Sequence, residues 1–266
     1  MMEITRVATG SAIRRSAVRR ALIVDNKTAS ASIIADIVRS IGGRDIVVEG
    51  DEKRALTACL ELDPDIIFVE RSGPRLDGHS FSRRLRRSHL ACRKAPLIMM
   101  TVEATPAAIA QARDAGIDQV LGRPFCTGDV LSRIEAVMAP GRNWIEAVSY
   151  VGPDRRHLSP KGYKGALKRR SDVDAKLATA ARKDQAMRIL ASALKQFEND
   201  PPQALRAIQE QASILKALAI KAADFDFSLA AAEVLMAAGR PTVTREHLVE
   251  PVGRLLAFAP PGTVSA

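Results

Sequence analysis

The chain has 266 residues, with 40 Lys plus Arg against 30 Asp plus Glu, a formal charge of +10, and 4% aromatics within a 47% hydrophobic composition. That length suits one large or two ordinary domains with aliphatic cores. No apolar run reaches the ~18 residues of a membrane span, and no apolar stretch with a cleavage site follows the N-terminal arginines, so an integral membrane protein is excluded and a cytoplasmic one expected.

Cys59, Cys92 and Cys126 are well separated and lack any C-x-x-C, which reads as reduced thiols rather than a disulfide framework or structural zinc. Split by segment, the charge is uneven. Residues 1–20 carry +4, residues 21–140 sum to zero, residues 141–172 carry +5 and residues 173–266 carry +1. The boundaries expected from this are a basic tail over 1–20, a neutral domain over 21–140, a basic Gly/Pro-containing linker over 141–172 and a second domain over 173–262.

In chain order, Ala21–Val24 is a short apolar run entering Asp25-Asn26, the pattern of a buried strand. Ala29–Ile41 predicts a helix with Ile33, Ile34, Ile37, Val38 and Ile41 on one face, stopped by Gly42-Gly43. Asp45–Val48 is a second strand, and Arg54–Leu62 a helix ended by Pro64. Ile66–Val69 is a third strand ending in Glu70, and Ser80–His89 a strongly basic helix. Leu97–Met100 is a fourth strand ending in Thr101, and Pro106–Ala115 a helix capped by Gly116. Gln119–Gly122 is the fifth strand, followed by Arg123-Pro124-Phe125 and a helix over Thr127–Met138.

Strands alternating with helices imply an α/β fold, a doubly wound five-stranded parallel sheet covered on both faces. Its site lies beyond the C-terminal strand ends, where Asp25, Asn26, Glu70, Thr101 and Arg123 converge. Beyond the linker, Asp174–Phe197, Ala204–Ala223, Phe227–Ala238 and Thr244–Phe258 predict amphipathic helices, the last divided or bent at Pro251. They make a small C-terminal α-helical bundle.

The first domain resembles the receiver domain of two-component response regulators, across about 120 residues. The resemblance rests on Asp63-Pro-Asp-Ile-Ile-Phe-Val-Glu70 followed by Pro74, Leu76, Asp77 and Gly78, on Asp25-Asn26, on Thr101, and on Arg123-Pro124-Phe125. It implies the flavodoxin-like strand order 2-1-3-4-5. That family uses an Asp nucleophile, two neighbouring acids for Mg²⁺, a Thr or Ser that reads the phosphoryl group, and a Lys that pairs with it. Here Glu70 stands at the phosphoacceptor position, Asn26 replaces one acid, Arg123 replaces the Lys, and Val120 stands where Tyr or Phe is usual.

Each departure has a physical consequence. Phosphoryl transfer depends on positioning, so an added methylene at Glu70 disturbs the in-line geometry. Mg²⁺ demands near-octahedral oxygen donors, and Asn26 supplies one acidic donor fewer, leaving Asp25 and Glu70 as the weak remnant of a metal site. Arginine favours a planar fork onto carboxylates, so Glu70 and Arg123 are expected to pair and to mimic the phosphorylated arrangement; the alternative is a decayed site with Glu70 facing solvent.

Three further segments carry secondary readings. Leu218-Ala-Ile-Lys221-Ala222-Ala223 has the spacing of the phosphohistidine motif of histidine phosphotransfer bundles, with Leu218 at the His position, although six such common residues also match by chance. Arg83-Arg84-Leu85-Arg86-Arg87 reads as a solvated helix face or as a docking patch for an acidic partner. Tyr150 through Arg156 resembles tails that follow receiver domains in alphaproteobacterial proteins, where Tyr150, Arg155 and Arg156 would contact an anion or a nucleotide such as cyclic di-GMP; the other reading is a flexible tether.

His79, His89, His157 and His247 are isolated, so no metal or cofactor is expected beyond the doubtful Mg²⁺. The near-neutral second domain lacks the basic footprint of a DNA reader. The expectation is a bacterial, non-catalytic signalling regulator of the phosphorelay type that binds a histidine kinase, a phosphotransfer protein, another regulator or a second copy of itself. A phosphorylatable or DNA-binding response regulator, or a cyclic di-GMP effector, is the alternative.

Overall fold

The computed structural model describes residues 18–139, 143–154 and 173–259, with side chains in the last stretch from 179 onward. They divide into two units, one holding the described residues up to Asn143 together with residues 152–154, and the other the C-terminal helices together with Trp144–Val151.

The first unit is built on β1 (Arg20–Val24), β2 (Asp45–Glu49), β3 (Ile66–Glu70), β4 (Leu97–Thr101) and β5 (Gln119–Gly122), all parallel in the order β2-β1-β3-β4-β5. Its helices are α1 (Thr28–Ser40), α2 (Glu52–Leu62), α3 (Gly78–Arg87), α4 (Pro106–Asp114) and α5 (Thr127–Met138). This is the flavodoxin-like arrangement. Alternate strand residues feed opposite layers. Ile23, Phe68, Ile98 and Leu121 join the core under α1 and α5, whereas Leu22, Ile67, Leu97 and Met99 join the core on the other face.

Helix starts follow capping chemistry. The Asp51 carboxylate accepts from the backbone N–H groups of Lys53 (2.9 Å) and Arg54 (3.2 Å), so α2 begins two residues before the periodicity suggests. Asp77 caps α3 by accepting from His79 N–H at 3.0 Å. Thr105 caps α4, with Pro106 in the first turn. Gly116, at φ 85°, turns the chain out of α4 in a conformation that side chains other than glycine's resist.

Four expectations for the first unit and the linker need correction. Ile33 is 52% exposed because α1 turns it past the buried stripe of Ile34, Ile37 and Val38. Val18 is buried in the first core and Arg20 is the first residue of β1, so the tail ends before them; the Arg20 guanidinium reaches Asp63 (3.1 Å) and Asp65 (2.9 Å). The arginine-rich α3 is not wholly solvated. Arg86 is fully buried, donating to Asp118 Oδ2 (2.8 Å) and to the carbonyls of Gly116 (2.9 Å), Arg93 (2.6 Å) and Ala95 (2.8 Å). Finally, part of the expected linker is structured: β6 (Trp144–Glu146) and β7 (Val151–Pro153) form a short ribbon.

The second unit contains α6 (Val173–Lys195), α7 (Pro201–Lys221), α8 (Phe225–Ala238) and α9 (Arg245–Leu256). α6 packs on α7, α7 on α8, α8 on α9, and α9 back on α6. Ten of the twenty residues in its buried cluster are alanine, which brings the helices close together. α9 runs on undivided through Pro251. The bond lost there is the one His247 C=O would accept, and burial of Leu248, Val252 and Leu255 holds the element together. The ribbon's Glu146 is fully buried against this unit: its carboxylate accepts from the Gln203 side chain (3.1 Å) and Trp144 Nε1 (2.8 Å), and its carbonyl from Gln211 (3.1 Å).

Candidate functional site

The parallel sheet ends all its strands at one rim, and each of the five residues singled out from sequence lies there. Asp25 and Asn26 follow β1, Glu70 closes β3, Thr101 closes β4 and Arg123 follows β5. Hydrogen bonds between the loops set the depth of these side chains: Asp25 N–H donates to Glu49 C=O at 2.9 Å and Arg123 N–H to Thr101 C=O at 2.8 Å. A Cβ at Gly78 would stand 2.5 Å from the Glu70 carbonyl, so only glycine lets α3 start against the end of β3.

The Arg123 guanidinium lies between two carboxylates. Its Nη2 is 2.7 Å from Glu70 Oε2 and 2.8 Å from Asp25 Oδ2, and its Nε donates to Glu70 Oε2 at 3.0 Å. The second Asp25 oxygen accepts from Lys27 N–H at 2.8 Å. The guanidinium carbon sits 5.3 Å from the centroid of the Phe125 ring. Asp25 and Glu70 are 2% and 4% exposed, so these are ion pairs inside the protein, not on its surface. Burial pushes the Glu70 carboxyl above the usual range, and Arg123 opposes that shift.

The remaining two residues behave differently. Thr101 is buried, but its hydroxyl accepts from Glu103 N–H at 3.1 Å and donates to Glu103 C=O at 3.2 Å, so its bonding capacity is used locally. Asn26 is exposed, beside Gly73. The expected pairing of Glu70 with Arg123 is therefore present, while the expected likeness to a phosphorylated site stops short at Thr101. Sequence reasoning missed that Asp25 shares the same guanidinium, which no spacing in the chain reports.

This donor set does not fit Mg²⁺. The acidic oxygens that would face the ion, Asp25 Oδ2 and Glu70 Oε2, already hold a cation, and the neighbouring Asn26 adds no charge. Among the described residues, no group of three or more His, Cys, Asp or Glu is disposed to hold a metal. Tyr150 does not present its ring to a nucleotide, because it is buried at 7% exposure; Arg155 and Arg156 lie outside the described residues.

Fold and rim together define a doubly wound domain with its polar site at the strand ends. Residues 21–135 match the family model of the response regulator receiver domain and are a receiver domain; the helical unit matches no part of that model. The DNA-binding response regulator MtrA of Mycobacterium tuberculosis (strain ATCC 25618 / H37Rv) is 29% identical over 118 residues, covering 44% of this chain and 50% of MtrA. The DNA-binding dual master transcriptional regulator RpaA of Synechocystis sp. is 28% identical over 119 residues, covering 45% and 48%. The chain thus spans about half the length of these curated relatives.

Among solved structures, chemotaxis response regulator CheY4 of Vibrio cholerae is similar at 20% identity and TM-score 0.42, covering 46% of this chain and 99% of that one. A response regulator signal receiver domain from Bermanella marisrubri is similar at 25% identity and TM-score 0.41, covering 45% and 98%. Among the described residues, no helix is long and apolar enough to cross a membrane.

Proposed function

We propose that this protein is a non-catalytic regulator of the two-component type, whose receiver domain is a pseudo-receiver that works by binding other signalling proteins. One observation carries the reading: the Arg123 guanidinium fills the space between Asp25 and Glu70 and pairs with both. A receiver that accepts a phosphoryl group needs a free carboxylate oxygen for in-line attack and a divalent cation beside it. Here the side chain at the acceptor position is a glutamate, its Oε2 is engaged by two guanidinium nitrogens, and the cation is part of the chain. The Thr101 hydroxyl, turned onto Glu103, has no phosphoryl group to follow. The domain therefore holds one state, and its surface is a constant docking face.

The partners this reading implies are a histidine kinase, a phosphotransfer protein or another regulator. Specific DNA binding is not part of it: the relatives named for DNA binding match over only 118 and 119 residues, less than half of this chain, and residues 173–266 carry a net charge of +1. The test is incubation of the full chain with acetyl phosphate and Mg²⁺, followed by intact-mass measurement. No acyl phosphate is expected. A hydroxylamine-labile phosphoryl adduct on Glu70 would overturn the reading. A gel shift with steep salt dependence would restore the DNA-binding alternative.

A further inference from the structure

We infer that Cys59 and Cys92 form a redox pair inside the receiver domain, closed to a disulfide by a hydroperoxide. Cys59 lies in the last turn of α2, and Cys92 in a short 3-10 helix, Ala91–Lys94, that leads into β4. Both thiols are free, and they are 1% and 4% exposed within one core cluster. Although the two residues are 33 apart in the chain, the Cys92 thiol donates to the Cys59 carbonyl at 3.4 Å, and the two sulfurs are in hydrogen-bonding contact. Small apolar side chains would meet the packing at either position. What two facing sulfurs add is the capacity to bond.

The surroundings give the two sulfurs different roles. The buried Arg86 guanidinium anchors the segment carrying Cys92 through the carbonyls of Arg93 and Ala95, and its charge favours the ionised form of both thiols. Asp118 pairs with Arg86, and Asp63 opposes the ionisation of Cys92. The contact with Cys59 holds Cys92 below the ordinary thiol range; the same contact, with burial, pushes Cys59 above it. Cys92 is therefore the attacking sulfur and Cys59 the resolving one. The peroxide enters by local opening of the 3-10 helix, whose Ala91 and Lys94 are exposed. The Cys92 thiolate attacks one peroxide oxygen; the O–O bond breaks, an S–O bond forms, and the departing alkoxide takes the proton that Cys92 lost. Cys59 then attacks the Cys92 sulfur; the S–S bond forms, the S–O bond breaks, and hydroxide leaves with the Cys59 proton as water. Two thiols and one hydroperoxide yield a disulfide, an alcohol and water. The bond ties α2 to the entry of β4 across the segment that holds β3 and α3.

Hydrogen peroxide on the full chain in a Cys126→Ser background tests this, because Cys126 is the exposed thiol. Non-reducing peptide maps are expected to join Cys59 to Cys92 within one chain, with the loss of two hydrogens and reversal by dithiothreitol. In Cys59→Ala the reaction stops at a Cys92 sulfenic acid that dimedone traps, whereas Cys92→Ala leaves Cys59 a thiol. The closed bond removes loop freedom from the unfolded chain, so oxidation raises the urea midpoint of the receiver's dichroism transition while the Trp144 transition stays. Two thiols that survive peroxide, or that oxidise singly to sulfinic or sulfonic acids without joining, overturn the inference. So does a bond found only between chains. None of these outcomes involves phosphoryl transfer, so they stand or fall apart from the pseudo-receiver reading.

Discussion

The receiver domain buries charge, whereas the helical unit buries alanine. Arg86 and Asp118 form an ion pair with side chains 0% and 2% exposed, and Arg123 joins Asp25 and Glu70 at the rim. In the helical unit the core is Ala186, Ala193, Ala204, Ala207 and their like, and Glu146 is held there by glutamine amides and an indole. A core held by paired charges depends on each partner being present and on which form of each acid is populated. A core of close-packed alanines depends chiefly on volume, with Glu146 the buried carboxylate it must also keep partnered. The difference assigns separate vulnerabilities to the two units. Trp144 is the chain's single tryptophan and groups with the helices, so its fluorescence follows the helical unit while far-UV circular dichroism sees both.

The comparison is sharpest at Arg86. Arg86→Met leaves Asp118 buried without its partner and is expected to destabilise the receiver by about 3–5 kcal/mol. In urea melts the dichroism transition should move far to lower denaturant while the Trp144 transition stays. Loss at the rim is smaller because Arg123 is partly exposed. Arg123→Met should cost about 2–3 kcal/mol near neutral pH, with Glu70→Gln in that background recovering part of it. No recovery would mean that Glu70 is not what Arg123 neutralises.

The helical unit should fail through volume. Ala212→Leu adds methylenes where helices touch and is expected to cost about 1–3 kcal/mol, read by Trp144 fluorescence and absent from hydrogen-exchange protection in β1–β5. Asp224→Ala removes the α8 cap on Phe227 N–H and should cost about 1 kcal/mol in the same signal.

The pH comparison is the subtlest. Because burial raises the Glu70 carboxyl, the folded receiver holds that proton more tightly than the unfolded chain does. Its stabilising contribution is fully present below the ordinary Glu range and is lost as pH rises through the raised folded value. Subtracting Glu70→Gln from the parent should give a difference that declines with rising pH in the receiver's unfolding and is flat in the Trp144 signal. A flat receiver difference would remove the claim that desolvation outweighs Arg123.

Much of this was legible in the chain itself. The runs at Ala21, Ile66 and Leu97 are unbroken because strands buried on both faces need apolar residues at every position. Gly116 and Pro106 marked their helix ends, and the rim residues were found because parallel strands must end on one side. Ile33 was placed on an apolar face by periodicity and is exposed at 52%, since apolar content alone does not say how wide a buried stripe is. The docking patch over Arg83–Arg87 was open to two readings, and neither was right for Arg86, whose partners come from residues 93–118.

What the sequence determined was local and periodic: which runs are strands, where helices start and stop, and which side chains reach the rim. Neighbours in the chain settle those choices through backbone geometry and hydrophobic alternation. The tertiary structure alone decided which charges meet. Arg123 could pair with Glu70, with Asp25, or with solvent, and it takes both carboxylates because three strand ends bring them within 2.8 Å. The Thr101 hydroxyl turns to Glu103, and Glu146 leaves its linker for the glutamines of α7, for the same reason. A buried polar group takes whichever partner the fold places in reach, and the chain records no spacing for that.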